Sequence, residues 1–268
     1  IKRLGCKVVY ARLNTAYLVR PRWAKYSRRV PVDIEYDGPH SYGEDITVQE
    51  ITADVQKRLT VVPPTSYPEK VRGKKMAHGL NQYLWACPSC MTHESLEPMP
   101  RSRRTEGESL QSVDGDKIGC TACGASWILD VFCQLHSENG ESMSVADAFR
   151  LIEAHHGNPP VADVAHFEST GEALVLEDCR IFLVPRKGKR KELIRGRLDL
   201  TAERIRIQAA EGESWAMSLA EMRGVSVEVG NTLHFRQEDR LYRVEADSHS
   251  PLKLDHFFRL WSEKAQNA

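Results

Sequence analysis

Seven cysteines punctuate the chain, at positions 6, 87, 90, 120, 123, 133 and 179, and four of them fall into two tight pairs. Cys87-Pro-Ser-Cys90 and Cys120-Thr-Ala-Cys123 each leave two residues between thiols, so both sulfurs of a pair can curl onto one ion while nearby backbone N–H groups point at them. Two such knuckles supply the four ligands of a tetrahedral Zn²⁺, and Gly124 permits the left-handed turn that follows a knuckle. A four-thiolate set has no open coordination position, so the expected ion is structural: it stabilises a small domain and activates no water. An odd cysteine total with two matched pairs also suits metal binding in a reducing compartment better than an extracellular disulfide framework. Cys133, His93 and His136 lie near enough to substitute as ligands, although a lone histidine beside a full four-cysteine set is more often a surface residue. Cys6 and Cys179 sit in strand-like runs and are expected to pack in the core.

Two further groups carry possible chemistry. His40-Ser-Tyr-Gly-Glu-Asp45 has the spacing in which a carboxylate can hold an imidazole general base, but its Gly- and Pro-rich setting reads as a loop and helix entry. Between two strand candidates, Pro185-Arg-Lys-Gly-Lys-Arg-Lys-Glu-Leu-Ile-Arg-Gly-Arg197 gathers Lys187, Lys189, Arg190, Lys191, Arg195 and Arg197 around a hairpin. These six either donate charge-assisted hydrogen bonds to an anionic group or form an ordinary solvated tip.

The elements that must position these groups divide the chain into zones, at 1–83, 84–131, 132–160 and 161–268. In the first, Cys6 to Val19 reads as a strand halted by Pro21, and Arg29 to Tyr36 as an edge strand. Thr47 to Leu59 puts Val48, Ile51, Val55 and Leu59 on one helical stripe, with Thr47 and Glu50 spaced as a capping box. Pro63 and Pro64 end that helix, and Lys74 to Trp85 forms another short one. The second zone holds the cysteine pairs and a polar insert, and the third a helical linker with Val145, Ala148, Phe149 and Ile152 on one face. The last zone contains short strand candidates at 173–176, 179–184, 192–198, 204–207, 214–219, 224–229, 232–236 and 240–245. Gly230-Asn231 reads as a tight hairpin, and Pro251 to Ala265 as a helix burying Leu254, Phe257, Phe258 and Trp261. The expected fold class is α+β and multidomain, ending in a small antiparallel β-barrel closed by one helix.

Composition limits the function. With 41% apolar residues the chain can bury a core, yet no stretch approaches the roughly 20 apolar residues of a membrane span. Its 37 basic and 37 acidic side chains cancel, which disfavours a nucleic-acid coating protein. Local patches survive that total: Lys2, Arg3, Lys7, Arg12, Arg20, Arg22, Lys25, Arg28 and Arg29 face only Asp33 and Glu35 in the first 35 positions. Residue 1 is Ile and the first Met is Met76, so a fragment is expected whose missing start could have carried a secretory signal; the expected cytoplasmic location rests on the cysteine usage.

Val8 to Trp23 with its Pro-Arg-Trp ending, the Arg28-Arg29 pair, Tyr67, Gly73 to Leu80 and Tyr83-Leu-Trp-Ala-Cys-Pro-Ser-Cys90 together resemble the back end of bacterial lysophospholipid acyltransferases, the 1-acylglycerol-3-phosphate acyltransferase family, in the subset with a zinc ribbon. The resemblance covers roughly residues 1 to 130. It implies transfer of an acyl chain from acyl-CoA or acyl-carrier protein to a lysophospholipid, at the inner face of a membrane. It implies also that Val8 to Leu18 is a core strand of an α/β acyltransferase sheet. The family's His-x-x-x-x-Asp and Phe-Pro-Glu-Gly blocks lie upstream of that strand, so the catalytic residues are unknown for this chain and it is expected to be inert alone. The final zone resembles a PH- or GRAM-like domain, whose first loop can hold lipid phosphates. The alternative is a zinc-ribbon and PH-like binding module for a protein, lipid or nucleic-acid partner.

Overall fold

The computed structural model describes residues 5–43, 45–61, 73, 75–99, 116–156, 174–228, 232–246 and 249–267. Most of the polar insert, the Tyr67 region, the 157–160 stop and the Gly230-Asn231 turn lie outside these residues. Every strand pair among them is antiparallel, and the strands form three sheets.

The first sheet has two strands, β1 (Val8–Leu13) and β2 (Ile34–His40), with Leu13 opposite Ile34 and Ala11 opposite Tyr36. The strand expected to reach Leu18 stops at Leu13, and Ala16–Val19 is a short helix, α1. Thr15 causes the change of direction: its hydroxyl donates to Pro31 O at 2.6 Å and accepts from Asp33 N at 3.1 Å, fixing the turn across the sheet end. With Val9 and Leu13 exposed, β1 is not the core strand of a larger sheet. Cys6 is likewise exposed, not core, because the chain joins the sheet only at Val8.

Helix α2 (Val48–Leu59) begins on the expected capping box: Thr47 Oγ1 accepts from Glu50 N, and the Glu50 carboxylate accepts from Thr47 N. It lies against β1, but only Ile51 of its stripe is buried, and Val48 and Leu59 face solvent. The helix predicted from Lys74 shrinks to one turn, α3 (Leu80–Tyr83). Gly79 explains this: its φ of +90° lies outside helical space, and a Cβ there would approach Trp23 O to 2.3 Å.

The second sheet runs in chain order through β3 (Leu96–Met99), β4 (Lys117–Cys120), β5 (Ser126–Leu129), β6 (Gln134–Ser137) and β7 (Ser142–Ser144). The sheet therefore continues past Val131 into residues that composition reads as linker. Helix α4 (Val145–His155) leaves β7 directly, with Ser144 Oγ accepting from Asp147 N at 3.0 Å and Val145, Ala148 and Ile152 buried as the spacing predicts.

The third sheet is a curled half-barrel of seven strands. They are β8 (Leu174–Val184), β9 (Lys191–Leu200), β10 (Arg204–Gln208), β11 (Ser214–Ser218), β12 (Arg223–Glu228), β13 (Thr232–Gln237) and β14 (Arg240–Ala246). Their order is β11-β10-β9-β8-β14-β13-β12, so the last strand pairs with the first. Two predicted strands merge into β8 across an irregularity between Leu176 and Cys179, where Asp178 takes a φ of +52°. Helix α5 (Pro251–Asn267) packs on β12 and β13 and also meets α3, burying Phe257, Phe258 and Trp261 as expected.

One apolar core runs from Leu18 through Trp85, Leu135 and Ile152 to Phe235 and Trp261, joining the last two sheets. Trp85, fully buried, sits among His93, His156, His256 and Phe257 at this junction. Beside it, Glu94 Oε1 accepts from His249 Nδ1 at 2.8 Å and from Lys253 Nζ at 3.1 Å. His249 Nε2 accepts from Glu177 N at 3.1 Å.

Candidate metal centre

The first knuckle follows α3, pinned by an antiparallel bridge between Ala86 and His93, and the second spans the end of β4 and the turn into β5. Together they gather the sulfurs of Cys87, Cys90, Cys120 and Cys123 within 4.8 Å of one another. Cys87 Sγ lies 3.8 Å from Cys123 Sγ and Cys90 Sγ 3.7 Å from Cys120 Sγ. Thiolates on a tetrahedral ion at the usual zinc–sulfur bond length stand ~3.8 Å apart.

The two knuckles share one backbone design. Met91 N donates to Cys87 O at 2.9 Å and Gly124 N to Cys120 O at 3.0 Å, each closing the turn at the residue after the second cysteine. Both residues are left-handed, Met91 at φ +58° and Gly124 at +76°. The sequence signals only the glycine; at Met91 the same geometry is imposed on a residue that resists it. Ser89 N points at Cys87 Sγ at 3.4 Å, and Cys120 Sγ bonds Ser95 Oγ at 3.3 Å.

The sulfurs differ in acidity. Burial pushes the Cys87 thiol up to about 12. Burial also raises Cys120, but bonding to Ser95 and to the N–H groups of Cys123 and Ala122 outweighs it and brings the thiol down to about 6. Four convergent sulfurs of this kind are compatible with a structural metal ion, whose charge would favour all four thiolates. No other group of three or more potential ligands gathers among the described residues. The substitute ligands have different partners: Cys133 Sγ accepts from Arg28 Nη1 at 3.4 Å, His136 bonds Asp130 and Ser142, and His93 bonds His156.

His40 does not meet Asp45. Its Nε2 lies 2.7 Å from Asp37 Oδ1, while Asp45 is exposed. Arg58 bonds both Asp37 and Asp54 at 2.8 Å, and Tyr42 donates to Asp54 at 2.5 Å. The neighbouring His40 and Arg58 hold the Asp37 carboxyl below its usual range. This network ties α2 to the β1–β2 sheet, and its members are too scattered along the sequence to have been grouped from spacing.

The six basic hairpin candidates separate into two kinds. Arg190 bonds Glu245 and lies over the Phe182 ring, Arg195 Nε donates to Asp178 at 2.8 Å, and Arg197 Nε to Asp199 at 2.9 Å. Lys187, Lys189 and Lys191 are exposed and have no ion-pair partner among the described residues. Arg180 and Arg243 also converge on the nearly buried Glu245, at 3.2 and 2.8 Å, so three guanidiniums share one carboxylate. No helix among the described residues is long and apolar enough to cross a membrane. The chain matches no protein-family model and no curated protein.

Proposed function

We propose that this chain is the carboxy-terminal, non-catalytic part of a membrane-peripheral lysophospholipid acyltransferase. In this reading Zn²⁺ in the four-cysteine site holds the ribbon together, and a PH-like half-barrel turns its β8–β9 hairpin toward anionic headgroups at the cytoplasmic face of the membrane. Acyl transfer from acyl-CoA or acyl-carrier protein to 1-acylglycerol 3-phosphate belongs to a His-x-x-x-x-Asp motif outside this chain. His40 takes no part, since its carboxylate partner is Asp37 and the pair is engaged by Arg58.

The observation that carries the membrane part is the uncompensated charge at the hairpin. Lys187, Lys189 and Lys191 stand exposed beside three arginines that share Glu245. Each cation near an anionic surface contributes about 1 kcal/mol of attraction. The acyl-transfer part is supported by the resemblance over residues 1 to 130.

Two measurements test the proposal. The coding sequence ahead of Ile1 is expected to carry the His-x-x-x-x-Asp and Phe-Pro-Glu-Gly-like blocks; a start codon immediately before Ile1 would sink the enzyme reading. Reversing Lys187, Lys189 and Lys191 to Glu should weaken binding to vesicles containing phosphatidylglycerol in a salt-sensitive way, and unchanged binding would remove the hairpin as a headgroup contact.

A further inference from the structure

Five of the ten histidines, His93, His155, His156, His249 and His256, gather where the cysteine-bearing sheet meets the half-barrel. One junction thus holds half of the side chains that ordinarily change charge near neutral pH. The first knuckle leads into His93, the end of α4 supplies His155 and His156, and α5 with the residues before it supplies His256 and His249. His93 Nε2 lies 3.1 Å from His156 Nδ1, and the two rings meet edge to face with centroids 4.3 Å apart. His156 Nε2 donates to Met91 O at 3.2 Å, because a carbonyl can only accept. One proton between the facing nitrogens and one on the carbonyl side satisfy these contacts with both rings neutral. With both rings charged, the facing nitrogens would each carry a hydrogen and that bond would be lost. His93, His156 and His256 all pack on the fully buried Trp85, at centroid distances of 5.3, 5.0 and 5.4 Å.

The carboxylates of the junction are already engaged. From the knuckle side, Glu94 is shared by His249 and the nearly buried Lys253 of α5. From α4, Glu153 lies 3.6 Å from His256 Nδ1, and His155, whose ring stands 4.8 Å from that of His156, has no carboxylate partner among the described residues. On α5, Asp255 is held by Arg259. His256 Nε2, buried beside Trp85, has no hydrogen-bond partner among the described residues to steady a proton there. An imidazolium formed in this cluster would meet the Lys253 ammonium and further histidines with no carboxylate to spare. Burial, reinforced by Lys253 and His156, accordingly brings His93 down to about 4, and burial with His155 and His256 also lowers His156. We propose that this histidine cluster is an acid-sensitive joint: neutral imidazoles seat α5 and its half-barrel on the cysteine-bearing sheet, and protonation of the His93–His156 pair loosens that seat. The joint is separate from the β8–β9 hairpin and does not depend on acyl transfer. Its sign follows from linkage. A folded-state value below that of free imidazole means the unfolded chain takes up protons first, so the contribution is whole above the ordinary histidine range and drains as pH falls toward the lower, folded value. Between about pH 7 and about pH 5, His93 alone shifts the unfolding constant on the order of tenfold.

The test is urea unfolding of the whole chain across this pH range, with zinc content measured at every pH, for wild type and for His93→Gln/His156→Gln. The wild type should lose about tenfold or more in its folding constant on acidification, and the double variant, whose amides do not titrate, should lose several-fold less. Hydrogen exchange of the wild type should rise on acidification in α5 and around Met91 before it rises in the β1–β2 sheet. Circular dichroism at neutral pH reports whether the double variant folds; should it not, His156→Gln alone is expected to flatten the profile by a smaller amount in the same direction. Parallel pH profiles for wild type and variant at matched zinc content overturn the inference. So does acid loosening that appears only as zinc leaves, since the thiolates and not the imidazoles would then be the groups that respond.

Discussion

Replacing Glu94 by Gln isolates the contact that fastens the cysteine-bearing sheet to the half-barrel. Lys253 is only 6% exposed, and the carboxylate it meets at 3.1 Å is 35% exposed. Breaking a fully buried pair costs about 3–5 kcal/mol, because an ammonium is left without a counter-charge. Solvent around Glu94 screens part of this, so about 2 kcal/mol is expected. For a chain of this size that corresponds to a drop in Tm of about 4–8 °C. Urea unfolding followed by tryptophan fluorescence reads the change, with Trp85 beside the contact, since its carbonyl accepts from Glu94 N at 2.9 Å. In the double variant Glu94→Gln/Lys253→Met the loss should be mostly recovered, since no orphaned charge remains. The pH dependence has a definite sign. Burial alone would raise the Glu94 carboxyl, but the His249 bond and the Lys253 charge outweigh it and hold it below its usual value. A depressed folded-state value means the contribution is present above the ordinary glutamate range and is lost as pH falls through the lower, folded value. A Glu94→Gln loss below about 0.5 kcal/mol near neutral pH, or one equally large under acid conditions, would refute the reasoning.

Other positions give sharp outcomes. Freshly purified reduced protein should hold about one zinc per chain by elemental analysis, and Cys87→Ser or Cys120→Ser should remove it together with the ribbon's protection from hydrogen exchange. Gly196→Ala should destabilise by more than about 2 kcal/mol in a denaturant titration, because the added Cβ would stand 2.0 Å from Gln208 O in the neighbouring strand. Ser144→Ala should cost about 1 kcal/mol by removing the α4 cap, measured the same way.

Much of the architecture was legible in local patterns. The Cys-x-x-Cys spacing located the four sulfurs, Thr47 and Glu50 located the start of α2, and the apolar spacing of Phe257, Phe258 and Trp261 located the face of α5. Failures arose where the pattern was short or symmetric. Strands β6 and β7 read Gln-Leu-His-Ser and Ser-Met-Ser, too brief and polar for alternation to register. In β1, Val8-Val9-Tyr10-Ala11-Arg12-Leu13 offers apolar residues to both faces, so nothing local says which side α2 covers. The Glu94–Lys253 contact bridges positions far apart in the chain, beyond the reach of any periodicity.

The unbroken packing from Leu18 to Trp261 means that the half-barrel and the cysteine-bearing sheet cannot be exchanged between proteins like cassettes. A scissors cut between them would open two raw hydrophobic wounds, with Trp85 on one and Phe257 on the other. Stripping any ion the four cysteines hold should therefore be felt as loosening in strands that never touch the site, and an evolutionary change in either half must be answered in the other.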